Sequence, residues 1–126
     1  MKRFNDSERM AENAREHAEM ARLARRIAEA SKSAPKDVVL SLVSELIAFF
    51  ERHSAEEEAR ILRADPYAAS EHRKGHLEVA MRLFSLRKDV SEDERSRAEE
   101  SARLLSKLLL DDLLDGDVAL QEASVA

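Results

Sequence analysis

The chain has 126 residues, a net charge of −5 and no cysteine. A chain of this length supports one hydrophobic core, so we expect a single domain over residues 1–126. Glycine and proline number two each and aromatic residues make up 4%, which excludes collagen-like, disulfide-rich and most all-β proteins and predicts an all-α protein. The acidic balance argues against a nucleic-acid partner, and no apolar run is long enough for a bilayer span or a secretory signal. Because the absence of cysteine fits a reducing compartment, we predict a cytoplasmic protein with no membrane partner.

Helix-capping and helix-breaking residues divide the chain into four predicted helices. In chain order, the signals are Ser33 with Pro35, Asp65 with Pro66, a capping-box spacing from Ser91 to Glu94, and Gly116. They predict helices over residues 6–31, 35–63, 66–89 and 92–115. Because the connections are only a few residues long, neighbouring helices should run antiparallel, which predicts an up-down-up-down four-helix bundle.

Each predicted helix carries ionisable side chains within its apolar stripe. They are His17 in the first helix, His53 and Glu57 in the second, His72 and His76 in the third, and Asp112 in the fourth. Burying such groups without partners costs about 1–3 kcal/mol or more each, against a total stability of about 5–15 kcal/mol for a domain. A divalent or trivalent cation offsets this cost, because imidazole and carboxylate are its natural ligands. Residues four apart share one helical face and can hold the same ion, so the pattern predicts a metal site.

Three stretches of the chain carry a family resemblance. His53-Ser54-Ala55-Glu56-Glu57-Glu58, Pro66-Tyr67 and His72-Arg73-Lys74-Gly75-His76 resemble the signature of the hemerythrin family, in particular the bacterial hemerythrins and HHE cation-binding domains. The resemblance implies a four-helix bundle around a non-heme di-iron centre with an oxo or hydroxo bridge. It assigns His17 and His53 to one iron and His72 and His76 to the other. Glu57 and Asp117 would bridge the two ions; by ligand type alone, Mn or Zn is also possible.

Two positions depart from the family pattern. Asp112 stands where the family has a third histidine for the second iron, five residues before the bridging aspartate. If Asp112 binds the metal, the site becomes more anionic and favours redox chemistry over reversible O2 carriage; if it does not, each metal has a labile position. Ser54 stands where the family commonly has a phenylalanine. A small polar residue there argues against long-lived oxygen storage, which needs a dry pocket.

Three functional hypotheses remain open from the sequence. The first is a di-iron protein that binds O2, or a related small molecule such as peroxide or nitric oxide, for sensing, delivery or scavenging. The second is a di-metal redox enzyme of oxidase or peroxidase type, altered by Asp112 and Ser54. The third is a metal-binding or regulatory module with Mn, Zn or a single ion.

The residues around the predicted ligands give two further expectations. Glu56 and Glu58, which flank Glu57, are expected to be solvated helix surface. The leucine-rich run over residues 104–114 is wider than one core stripe requires, so part of it is a candidate dimer interface and the chain is expected to be a monomer or a homodimer.

Overall fold

The structure, a computed structural model, describes the backbone of residues 6–113 and the side chains of residues 12–110. Within this range the chain is all-helical and contains no strand. The four α-helices are α1 (Asp6–Ser33), α2 (Lys36–Ala64), α3 (Pro66–Ser91) and α4 (Arg95–Lys107), and a π-helical turn (Leu108–Leu113) follows α4. A search of these described helices finds none with the length and apolar character of a membrane span.

The two proline-containing breaks lie where the sequence predicts them. α1 continues to Ser33 and α2 starts directly after Pro35, so Ser33 belongs to the first helix and does not cap the second. At the next break the prediction is confirmed, because the Asp65 carboxylate accepts hydrogen bonds from the backbone N–H groups of Tyr67 and Ala68 at 3.0 and 3.3 Å. Proline then occupies the first turn of α3, where its missing N–H costs nothing.

The predicted capping box before α4 is wrong. Ser91 is the last residue of α3, and its hydroxyl donates to the carbonyl of Arg87 at 2.8 Å. The chain then reverses through Asp93, which has a positive φ of 60°, and α4 begins at Arg95. The Arg95 guanidinium donates to the backbone carbonyls of Ser31 and Ala34. The start of α4 is therefore fixed against the end of α1 and not by a local side-chain cap.

The helices form a four-sided arrangement around one apolar core. α1 packs against α2 and α4, and α3 packs against the same two helices, which fits a helical bundle. Every helix contributes fully buried aliphatic side chains, among them Met20, Ile27, Leu46, Leu83, Leu86 and Leu105. Burial of each such side chain stabilises the fold by about 1.5–3 kcal/mol. The apolar core holds in place the helix faces that carry the buried histidines.

Candidate metal centre

Five of the seven predicted ligands come together in the interior. His17 lies on α1, His53 and Glu57 lie one turn apart on α2, and His72 and His76 lie one turn apart on α3. None of the five is more than 6% exposed. Because side chains four residues apart project from the same face, each of these two helices presents a pair of donors to the centre of the molecule.

The first group of donors consists of His17, His53 and Glu57. The two histidine Nε2 atoms lie 3.0 Å apart, and Nε2 of His53 lies 3.4 Å from Oε2 of Glu57. When two donor atoms bind the same ion, each at about 2.1 Å from it, the distance between them depends on the donor–ion–donor angle. They lie about 3.0 Å apart at a right angle and about 3.4 Å apart at a tetrahedral angle. The spacing in this group is thus the spacing of neighbouring ligands on a shared ion.

The second group consists of Glu57, His72 and His76. Nε2 of His76 lies 3.1 Å from Oε1 of Glu57, and Nε2 of His72 also contacts this oxygen. The Phe50 ring packs edge-on against His76, with the ring centres 5.6 Å apart. The two groups share one carboxylate, and each group contacts a different oxygen of it.

Two further carboxylates orient the histidine rings from outside. Nδ1 of His53 lies 3.1 Å from Oε2 of Glu16, and Nδ1 of His76 lies 3.1 Å from Oε1 of Glu58. An ionised carboxylate only accepts hydrogen bonds, so Nδ1 donates in both pairs. In a neutral imidazole this leaves the lone pair on Nε2, which faces Glu57, and a carboxylate on the far ring nitrogen is the usual support of a metal-binding histidine.

These outer carboxylates are absent from the set of residues predicted from the sequence. Glu58 is a correction: it is expected as solvated surface, yet its side chain is 24% exposed and bonded to His76. Glu56, by contrast, is exposed as predicted. Glu16 directly precedes His17, and Glu58 directly follows Glu57. The helical period alone does not distinguish glutamates in such positions from glutamates on the surface.

The electrostatics of the centre keep Glu57 ionised. In the metal-free protein, burial alone would raise the pKa of Glu57, but its contacts with the imidazoles of His72 and His76 and the charge interactions with His53 and His72 outweigh burial and hold this pKa well below its usual range. Oε2 of Glu57 has no hydrogen-bond partner among the described side chains. Nη2 of Arg60 lies 3.9 Å from this oxygen, too far for a hydrogen bond. The carboxylate is therefore charged and retains an available lone pair, as a metal ligand must.

The other residues singled out from the sequence are Asp112, Asp117 and Ser54. Asp112 lies in the π-helical turn Leu108–Leu113, but its side chain is outside the described residues, as is the whole of Asp117. Their proposed roles as ligand and bridge stay predictions. Ser54 is buried, and its hydroxyl has no hydrogen-bond partner among the described residues. It lines a groove between α2 and α3 that reaches His76.

Comparison with known proteins adds no relative. No protein-family model, no curated protein and no solved structure matches this chain.

Proposed function

We propose that this chain is a hemerythrin-like di-metal protein that holds two iron ions and binds O2 or a related small molecule, such as peroxide or nitric oxide, for sensing, delivery or scavenging. The observation that carries the proposal is the position of Glu57. One of its oxygens contacts His53 and the other contacts His72 and His76. A carboxylate placed between two groups of imidazoles in this way has the arrangement of a bridge between two ions.

The proposal includes an up-down-up-down antiparallel course of the helices. Two residues separate α1 from α2 and one separates α2 from α3, and such short connections favour antiparallel neighbours. The donors support the same course. His17 lies in the first half of α1, His53 and Glu57 in the second half of α2, and the histidine pair in the first half of α3.

A metal accounts for this centre better than ion pairing between histidines and glutamate. His53 donates through Nδ1 to Glu16, so its Nε2 presents a lone pair to the interior at 3.0 Å from Nε2 of His17. Glu57 is the only carboxylate that contacts the inner nitrogens within the described part of the chain. With their outer nitrogens bonded to Glu16 and Glu58, neutral rings of His53 and His76 present lone pairs on their inner nitrogens, and such lone pairs bind cations.

The chain's own residues supply the setting for chemistry. Iron ions, when bound, supply the redox activity that O2 or peroxide requires. Glu16 and Glu58 orient the ligand rings, while Phe50 packs against the ring of His76. Cytoplasmic location and the absence of nucleic-acid and membrane partners are part of the proposal and follow from the composition.

Elemental analysis of protein purified from cells grown without added metal tests the proposal. We expect about two irons per chain and visible absorption bands that change on addition of O2, azide or nitric oxide. Glu57→Gln should lose most of the metal, whereas the exposed neighbour Glu56→Gln should keep it. Zinc or manganese in place of iron would retain the site and reject the oxygen chemistry; metal-free protein that binds no added Fe(II) would reject both.

A redox enzyme of oxidase or peroxidase type is the second candidate, and Ser54 favours it. Ser54 lines the groove that reaches His76, and its buried hydroxyl has no partner among the described residues, so a hydrogen-bond donor is available beside the groove. For a peroxidase, Ser54→Ala should lower peroxide consumption with an added electron donor while the metal content stays constant. No consumption by the iron-loaded wild type would remove this candidate and leave the binding function.

A further inference from the structure

A polar groove between α1 and α2 opens beside the metal centre. Its volume is about 530 Å³, and its walls include Glu12, Asn13 and Glu16 of α1 and Glu56, Arg60 and Arg63 of α2. Glu16 is also the carboxylate that holds Nδ1 of His53. The α1/α2 groove therefore includes a residue, Glu16, that touches a candidate ligand.

Arg60 has an unusual position in the α1/α2 groove. Its Nη2 atom is buried and has no hydrogen-bond partner among the described residues. Oε2 of Glu57 lies 3.9 Å from this nitrogen, and that oxygen also has no hydrogen-bond partner among the described residues. An unsatisfied buried donor is costly, and more so when it carries charge. A small acceptor in the groove would satisfy the guanidinium without displacing Glu57 from the histidines.

The charge of the loaded centre favours an anion as that acceptor. Arg60 carries a positive charge, with its Nη2 3.9 Å from Oε2 of Glu57, and metal ions held by the histidines would add positive charge beside it. Two of the acidic groove residues are already engaged, because Glu12 is paired with Arg15 at 2.6 Å and Glu16 with His53. A planar guanidinium in a partly buried site is well suited to bind an anion through two parallel N–H groups.

From these observations we infer that Arg60 is a recognition residue for a small anionic ligand, which enters through the α1/α2 groove and binds between Arg60 and the metal centre. The inference rests on the proposed function, because the bound ions would be the anion's second partner beside Arg60. The α2/α3 groove at His76 is less suited to an anion, because its arginine, Arg73, lies 3.6 Å from Glu58, which also lines that groove. Arg60 thereby gives the site a preference for anions over neutral molecules of similar size.

The test compares one charged and one neutral probe on iron-loaded protein. Azide is the anion and nitric oxide the neutral ligand, and both are titrated spectroscopically into the wild type and into Arg60→Gln. Loss of a charge-assisted hydrogen bond in a partly buried site weakens binding by roughly ten- to a hundred-fold. We expect that increase in the azide dissociation constant with little change for nitric oxide. The iron content of each variant is measured alongside.

Two controls separate recognition from general effects. Arg82→Gln removes the same charge from α3, where Arg82 pairs with Glu78 on the surface, and should leave azide binding unchanged. Arg60→Lys keeps the charge but loses the planar fork, so it should bind azide with intermediate affinity. If Arg60→Gln fails to hold iron, this lysine variant becomes the deciding comparison with the wild type.

The outcomes are distinguishable. Equal azide affinity in the wild type and the Arg60 variants, with iron retained, overturns the anion site and leaves the di-metal function standing. A parallel loss of azide and nitric oxide binding also overturns it, because it would mean that Arg60 only maintains the centre. A wild-type protein that does not hold iron removes both proposals together.

Discussion

Burial and the contacts with neighbouring histidines change the pKa of Glu57 in opposite directions. Burial favours the neutral form, while His72, His76 and the charge of His53 favour the ionised form and prevail. The folded state consequently binds fewer protons at this group than the unfolded chain does near the ordinary pKa of 4.5. A group of this kind stabilises the fold above that pKa and loses its contribution as the pH falls below it.

We therefore predict that metal-free wild type loses stability below about pH 4.5 more steeply than Glu57→Gln does. Urea unfolding of both proteins at a series of pH values between 3 and 7 measures the difference. Glu56→Gln, which changes an exposed neighbour, should follow the wild-type curve. Parallel curves for wild type and Glu57→Gln would show that the carboxylate is not held ionised by the histidines.

Glu16 and Glu58 allow a second prediction at the scale of single residues. If their carboxylates fix the rings of His53 and His76, then Glu16→Gln and Glu58→Gln should each weaken metal binding by about 10- to 100-fold. The fold should be retained, because both changes preserve side-chain volume at partly exposed positions. Competition with a chelator of known affinity measures the change, and Glu19→Gln on the exposed face of α1 is the matched control. Unaltered affinity in both variants would assign these contacts no role in the site.

The helical period identifies inward-facing donors but not the residues that support them. His53 with Glu57 and His72 with His76 were predictable because a spacing of four places both members on one face. Glu16 and Arg60 were not, because each lies at the edge of its helix's buried face. Their contacts depend on how α1 and α2 pack against each other, and a single sequence does not encode that in any local pattern.

At the scale of whole elements, the start of α3 has a local cause and the start of α4 has a distant one. Asp65 followed by proline was correctly predicted as a cap, because the side chain and the fixed φ of proline act within one turn. The Ser91 capping box was wrong because Arg95 bonds to carbonyls at the end of α1, more than 60 residues away in sequence. The π-helical turn after α4 was also not predicted; π-helical turns are common at functional sites, and this one contains Asp112.

This difference between the two helix starts yields a paired prediction. Asp65→Ala should destabilise the protein by about 1 kcal/mol, since it removes the acceptor of two backbone N–H groups. Ser91→Ala should change the stability by less than about 0.5 kcal/mol, because its hydroxyl only supplements a helical carbonyl on the surface. Denaturant unfolding of the two variants gives the comparison. A larger loss for Ser91→Ala than for Asp65→Ala would mean that the α3–α4 reversal, and not the α2–α3 break, has the stabilising cap.

At the scale of the whole molecule, the apolar core and the histidine cluster share the same helices, so metal binding and folding should be coupled. The aliphatic residues of α1, α2 and α3 continue directly into the faces that carry His17, His53 and His76. An ion that binds these residues only when they converge stabilises the folded state by mass action. With free metal at about a thousand times its dissociation constant, the gain is about 4 kcal/mol.

For a domain of this size, such a gain raises the thermal midpoint by on the order of 15 °C, because 1 kcal/mol corresponds to about 4 °C. We predict that a chelator lowers the midpoint of iron-loaded wild type by about this amount, as followed by circular dichroism, and that added Fe(II) restores it. The midpoint of Glu57→Gln should respond little to either reagent, because its two groups of histidines no longer share a charged carboxylate. Proton release on reloading, measured by calorimetry in buffers of different ionisation enthalpy, should accompany the recovery, since metal ions displace protons from imidazole. If neither chelator nor iron changes the thermal midpoint of the wild type, the aliphatic core alone holds the histidines together.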